Sequence, residues 1–272
     1  SGRTSRGKHL ANVLELDKDE LITATIPVRE FREDQFLLMA TAQGQIKKTA
    51  LAAYGNPRNG GIKGIKLAEG DVLVGVIITS GSDKILIASD DGQAVRFEER
   101  DVRPTGRDTG GVGGIDLSPG AKVISLVRQD DAAEMLTICL KGFGKRTPFE
   151  NYRLTRRGGK GVINIDTGER NGPVLASLAV RPGDELVLIS RQGQVVRTSV
   201  DQIRSTGRAA QGVTIFKPDG DDSLSSVAIC PRDENPRPDD ETGGDKDVEP
   251  VSGIDPDANG GDLLPSSETP PA

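Results

Sequence analysis

Two sequence patterns recur along this chain at one interval of about fifty residues, and a fixed period of that size dictates a fold assembled from stacked copies of a small unit. The first is a Gly-rich, basic loop running into a short apolar segment: RNGGIKGIKL, DTGGVGGIDL, TRRGGKGVINI and GRAAQGVTIF. The last loop glycines, Gly64, Gly114, Gly161 and Gly212, are 50, 47 and 51 residues apart, and a weaker copy (RGKHLANVLEL) precedes them. The second is a glycine turn followed by a basic segment: AQGQIKKT, DDGQAVRF, KGFGKRT and RQGQVVRT, at Gly44, Gly92, Gly142 and Gly193, with steps of 48, 50 and 51. Two independent markers keep one period, so the repeat belongs to the architecture.

Each unit reads as four strands: one after the Gly-rich loop, one apolar strand (LITATIPV, DVLVGVIIT, AKVISLVR, PVLASLAV), and a hairpin such as ILIAS-DG-QAVRF. A residue pair ending in Gly, flanked by β-branched residues, suits a two-residue hairpin turn. With 34 glycines, 3% aromatics and no Trp, the core must be Val, Ile, Leu and Ala in short strands. The expected fold is all-β, a propeller-like array of four-stranded blades. Four repeats are complete, and a closing strand pair (GVTIF, LSSVAIC) has no hairpin after it.

The net charge of −6 hides two unlike parts. Residues 232–272 carry 12 acidic and 3 basic side chains, which leaves residues 1–231 at +3. The tail is rich in Pro, Asp, Gly and Ser and cannot bury enough apolar surface to offset its ordering entropy, so it reads as disordered and acidic. Residues 1–231 read as the folded domain. Cys139 and Cys230 sit in apolar runs, LTICL and VAICP, as small hydrophobes. No signal peptide and no apolar span of membrane length is visible, so a cytoplasmic setting without membrane contact is expected. The start at Ser1 suggests a piece of a longer chain.

The loop Arg156, Arg157, Gly158, Gly159, Lys160, Gly161 has the composition of a phosphate contact. Glycines let backbone N–H groups approach a sugar-phosphate chain, and Arg and Lys supply charge and forked donors. Basic residues recur in the other loops: Arg3, Arg6 and Lys8; Arg58 and Lys63; Arg107; Arg204 and Arg208. Four residues after each turn glycine stands another basic residue, Lys48, Arg96, Arg146 and Arg197, expected to form a stripe on one circumferential face. His9 has no carboxylate or Cys cluster around it, so no metal site is expected. GGVGG lacks the strand-loop-helix context of a nucleotide-binding loop, and no nucleophile, base and oxyanion donors assemble, so no catalytic residues are expected.

Order and residues together resemble the C-terminal domain of DNA gyrase A subunits over about residues 2–231, most closely in GFGKRTPFENYRLTRRGGKGVINIDTGERNGPV. The family's heptapeptide box reads Gln-Arg-Arg-Gly-Gly-Lys/Arg-Gly; Thr155 to Gly161 matches six of its seven positions but lies in a later repeat. The resemblance implies a β-pinwheel with strands exchanged between neighbouring blades and a basic rim that wraps double-stranded DNA. It also implies a holoenzyme of two A and two B subunits. There the A-subunit core and the B subunit hold the catalytic tyrosine and use ATP and Mg, with no cofactor in this segment. A topoisomerase IV A-subunit domain is the alternative within the superfamily. A protein-binding propeller is the alternative outside it, although the Trp-Asp and aromatic signatures of such repeats are absent.

Overall fold

A computed structural model of the protein describes residues 22–58 and 61–230. The expected acidic tail and the first loop, with Arg3, Arg6, Lys8 and His9, lie outside the described residues. Strands alternate with single-turn 3-10 helices, and the described chain holds no α-helix. In chain order the strands are β1 (Phe36–Thr41), β2 (Gln45–Ala50), β3 (Leu73–Thr79), β4 (Lys84–Ser89), β5 (Gln93–Glu98), β6 (Val112–Gly113), β7 (Val123–Arg128) and β8 (Glu134–Cys139). They continue as β9 (Phe143–Pro148), β10 (Leu154–Thr155), β11 (Val162–Ile163), β12 (Val174–Val180), β13 (Glu185–Ser190), β14 (Val195–Ser199), β15 (Val213–Thr214) and β16 (Leu224–Cys230).

Four sheets form four propeller-like blades, each around one hairpin: β1–β2, β4–β5, β8–β9 and β13–β14. The turns differ from the two-residue form expected. Three residues separate the strands of the first three hairpins. The turn glycine donates its N–H to the residue three before it, as Gly44 does to Thr41 (3.0 Å), at φ between 81° and 89°. This is a turn closed by a left-handed residue, a position glycine fills without steric penalty.

Blade membership also corrects the sequential reading. The hairpin's first strand pairs with the apolar strand that follows it in sequence, β1 with β3, β4 with β7, β8 with β12 and β13 with β16. Its second strand pairs with a short strand from the Gly-rich loop after the next hairpin: β2 with β6, β5 with β11, β9 with β15. One blade thus draws strands from successive repeats, the exchange that the family resemblance implied.

Glycine makes the exchange possible. A Cβ on Gly111 would lie 2.9 Å from the Ile46 carbonyl oxygen, and one on Gly161 would collide with the Ala94 carbonyl at φ +82. Gly111, Gly161 and Gly212 are therefore the equivalent loop glycines, 50 and 51 residues apart, and Gly61 lies 50 before them. In the second loop the phase marker is Gly111 rather than Gly114.

The core lies between blades. One cluster joins Leu38 and Ile46 of the first blade to Ile85, Ile87, Val95 and Phe97 of the second. Another joins Leu136 and Ile138 to Leu186, Leu188 and Leu224. Taken together, the hairpin strands of the first three blades are buried over most of their length, so they are covered on both faces. The fourth blade differs: among the described residues β14 has no strand on its outer edge, and Val195 is 60% exposed where Ile46 is buried.

Candidate nucleic-acid interface

The Gly-rich loops are the tips of outer-edge excursions. After the second hairpin the chain runs parallel to the edge of the first blade (Lys48 bridging Pro104), reverses at the loop and returns antiparallel as β6. After the third hairpin β10 runs parallel to β5 (Leu154 beside Arg96) and β11 returns beside Ala94. The fourth repeats this on β9. Both legs are fixed to a rigid strand, and the tip is left in solvent.

In the loop between β10 and β11, Arg156, Gly158, Gly159 and Lys160 are exposed, and Arg157 and Gly161 half-buried. Arg153, Arg156 and Lys160, with the buried Arg96, line one shallow concavity of about 150 Å³ beside Thr155, Gly159 and Gly161. Four cationic residues, three of them exposed, and a glycine-rich backbone around one small hollow suit an oxyanion of phosphate size. Arg157 is partly committed elsewhere. Its Nε donates to the Asp101 carbonyl and its Nη1 to the Gly113 carbonyl, both at 2.9 Å. One blade further, Arg208 Nη1 makes the matching bond to Ile163 (2.9 Å). Gly158 N–H to Gly114 O (2.7 Å) and Asp116 N–H to Gly159 O (3.0 Å) complete a ladder that joins successive loops. In the first described loop Arg58 and Lys63 are exposed; in the second Arg107 is half-buried.

The expected stripe is corrected. Lys48 is 3% exposed and Arg96 8%. Lys48 Nζ lies 2.9 Å from Glu99 Oε1 and 4.3 Å above the Phe36 ring. Arg96 Nη1 donates to the carbonyls of Phe149 (3.1 Å) and Tyr152 (2.8 Å), and its Nε to Gln129 (2.9 Å). Arg146 Nε donates to Ile203 O (2.7 Å) and its Nη1 pairs with Glu134 (3.2 Å). Each reaches the 3-10 turn after the next hairpin, so this position ties blade to blade. Arg197 is exposed and pairs with Glu185 of its own blade.

A different register supplies the exposed series. Arg103, Arg153 and Arg204, each eight residues before the equivalent loop glycine, are exposed, and none forms an ion pair among the described residues. Each directly precedes the residue that bridges to the edge strand. Only Arg204 stood among the sequence candidates. The signal was the motif Val-Arg, Tyr-Arg, Ile-Arg at the repeat spacing, which a count from the turn glycine passes over. Lys47 and Lys145, also missed, are buried beneath the loops.

Among the described residues no three His, Cys, Asp or Glu side chains gather into a metal-holding group, and no helix is long and apolar enough to cross a membrane. Both cysteines are free; burial pushes the Cys139 thiol up to about 12.

A family model described as DNA gyrase C-terminal domain, beta-propeller, matches residues 1–29, 35–80, 83–130, 136–180 and 184–231. The chain is 38% identical over 277 residues to the DNA gyrase A subunit of Neisseria gonorrhoeae, covering 86% of this chain and 30% of that protein. It is 42% identical over 222 residues to that of Escherichia coli (strain K12), covering 82% and 25%. It thus spans less than a third of the length of these relatives. A solved DNA gyrase A C-terminal domain superposes with a TM-score of 0.74 at 26% identity, over 83% of this chain and 75% of that one. The C-terminal domain of a DNA topoisomerase IV gives 0.76 at 24%, over 82% and 70%, a likeness of fold.

Proposed function

This chain belongs to the family of DNA gyrase A C-terminal domains, and on that premise we propose that it binds double-stranded DNA through phosphates and bends it along its loop-bearing edges. The observation that carries the reading is the hollow lined by Arg153, Arg156 and Lys160, with Arg103 and Arg204 at the equivalent places in the neighbouring repeats. Equal spacing on similar blades gives a curved row of charge that suits a bent duplex, without a helix or ribbon to enter a groove. Binding of this kind relies on backbone contacts and deformability. Bending a few tens of base pairs costs on the order of 1–10 kcal/mol, which several contacts together offset.

In the cytoplasmic holoenzyme, wrapped DNA would be handed in a fixed crossing to the A-subunit core, and ATP-driven strand passage with the B subunit would turn that crossing into negative supercoils. In this reading ATP, Mg and the cleavage chemistry belong to the rest of the assembly, and this segment contributes geometry alone.

Duplexes of unrelated sequence are expected to bind with similar affinity. The affinity should fall by about 0.9 log unit per neutralised phosphate for each tenfold rise in salt. A titration series in salt measures this, and a flat response or a strong sequence preference sinks the phosphate reading.

Among the loops, Arg156→Ala with Lys160→Ala is expected to weaken DNA bending more than Arg58→Ala with Lys63→Ala. The first pair lines the hollow that Arg153 also enters. All four side chains are exposed, so melting temperatures should hardly change. Fluorescence-detected bending decides, and equal effects would remove any special weight from the box-like loop.

A further inference from the structure

Lys47 and Lys145 are among the largest wholly buried side chains, yet neither forms an ion pair among the described residues. Each stands three residues after its turn glycine, in β2 and β9, strands that carry a Gly-rich loop on their edge. Lys145 Nζ donates to the Gly207 carbonyl (2.6 Å) and to the Arg208 carbonyl. Lys47 Nζ donates to the Arg107 carbonyl (2.6 Å) and the Gly64 carbonyl (2.5 Å). Arg107 and Arg208 are equivalent residues, four before Gly111 and Gly212.

A buried ammonium with no carboxylate in contact is costly, and charge-assisted bonds of this kind offset the cost, helped at Lys47 by the charge of Asp108. Burial pushes Lys145 down to about 8, with the Arg208 charge adding to the effect, and lowers Lys47 also. At the same position β5 carries Val95, and its loop is fastened otherwise. Tyr152 and Asn164, at the two necks of that loop, are buried and joined by a 2.5 Å hydrogen bond from the Tyr hydroxyl.

We infer that Lys47 and Lys145 are positioning residues for the loop arginines Arg107 and Arg208, drawing each arginine's carbonyl oxygen inward so that loop N–H groups and the guanidinium face a phosphodiester. The inference rests on the phosphate reading of the loops. It assigns the two consecutive basic residues of KKT and KRT separate tasks: the first anchors the loop over its own blade, and the second ties to the next blade.

Lys145→Met removes the donor and keeps the stem. In the full chain it is expected to weaken binding of a duplex of arbitrary sequence roughly five- to tenfold, the loss of about one phosphate contact, with the salt slope reduced by about 0.9. Adding Arg208→Ala should cost nothing more, whereas adding Arg58→Ala should cost its full separate amount. In the free protein, amide exchange should quicken at residues 205–212 and stay unchanged at 84–98. Wild-type affinity in Lys145→Met, or losses that simply add with Arg208→Ala, overturn the inference. If Lys145→Met does not fold, Lys47→Met with Arg107→Ala repeats the cycle. Failure of both to fold also overturns it, since the lysines would then be general supports. A wild-type chain that binds no DNA sinks the proposed function instead, and the exchange comparison still decides what the lysines hold.

Discussion

Glu99→Ala is expected to destabilise the domain by about 3–5 kcal/mol, because it leaves the Lys48 ammonium buried without its counter-charge. Both side chains of this pair are almost wholly inaccessible, at 4% and 0%. The Glu99 carboxylate also accepts from Thr79 Oγ1 (2.7 Å), Gly81 N–H (2.9 Å) and Asp83 N–H (3.1 Å), so four donors lose their acceptor together. Denaturant unfolding should show a lower midpoint at unchanged slope, the mark of lost stability rather than altered compactness. Lys48→Met combined with Glu99→Leu should recover only the share due to the unpaired ammonium, since Thr79, Gly81 and Asp83 still lack their acceptor. Glu185→Ala, which breaks the exposed pair with Arg197, should cost far less, because solvent screens such a pair. Similar losses at the two sites would refute the distinction between a buried inter-blade tie and a solvated pair.

Replacing Arg103, Arg153 and Arg204 together by alanine is expected to lower DNA affinity on the order of 100-fold at about 0.1 M salt and to flatten the salt slope by about 2.7, the share of three phosphates. The three are exposed and stand at one position of successive repeats, so a single bent duplex can meet all of them. Stability should be nearly unchanged, because none of them forms an ion pair that would be lost. The matched control is Arg146→Met. Arg146 is held by the Ile203 carbonyl of the next blade and by Glu134, so its loss should lower the melting temperature and leave the salt slope alone. An unchanged slope in the triple variant would move the contact surface away from this row.

The period, the all-β class, the hairpins and the basic loops were legible because each rests on a local signal. A glycine at positive φ or at a close backbone approach is written into the sequence at its own position, as at Gly44 and Gly161. Which strands share a blade was not legible, because a period fixes spacing and says nothing about which copies pair. The basic side chains were misread for a related reason. Alternation in a strand sends Lys47 and Lys48 to opposite faces, and sequence reasoning assumes that one of those faces meets water. Here neighbouring blades and the loop edge cover both. Lys48 therefore reads as a surface cation while it sits against Glu99 and Phe36. The Tyr152–Asn164 clasp was invisible because the matching positions of the neighbouring repeats hold other residues, Val102 and Ile203 for the first and Gly114 and Ile215 for the second, and the pair meets only when the loop closes.

In an array whose units touch chiefly their neighbours, stability is a sum of unit and interface terms, and opening starts where an interface term is missing. Among the described residues the β13, β14 and β16 sheet has three strands where the others have four or five, and Val195 on its bare edge faces solvent. Among the described residues, the outer edge of β14 is the place where backbone donors and acceptors lack a partner strand, and an edge of that kind is where opening starts and where a further strand can add. If the chain bends DNA as proposed, a load along the duplex would be relieved first at this edge, while the other three blades, each with a loop strand on its hairpin edge, would keep their shape.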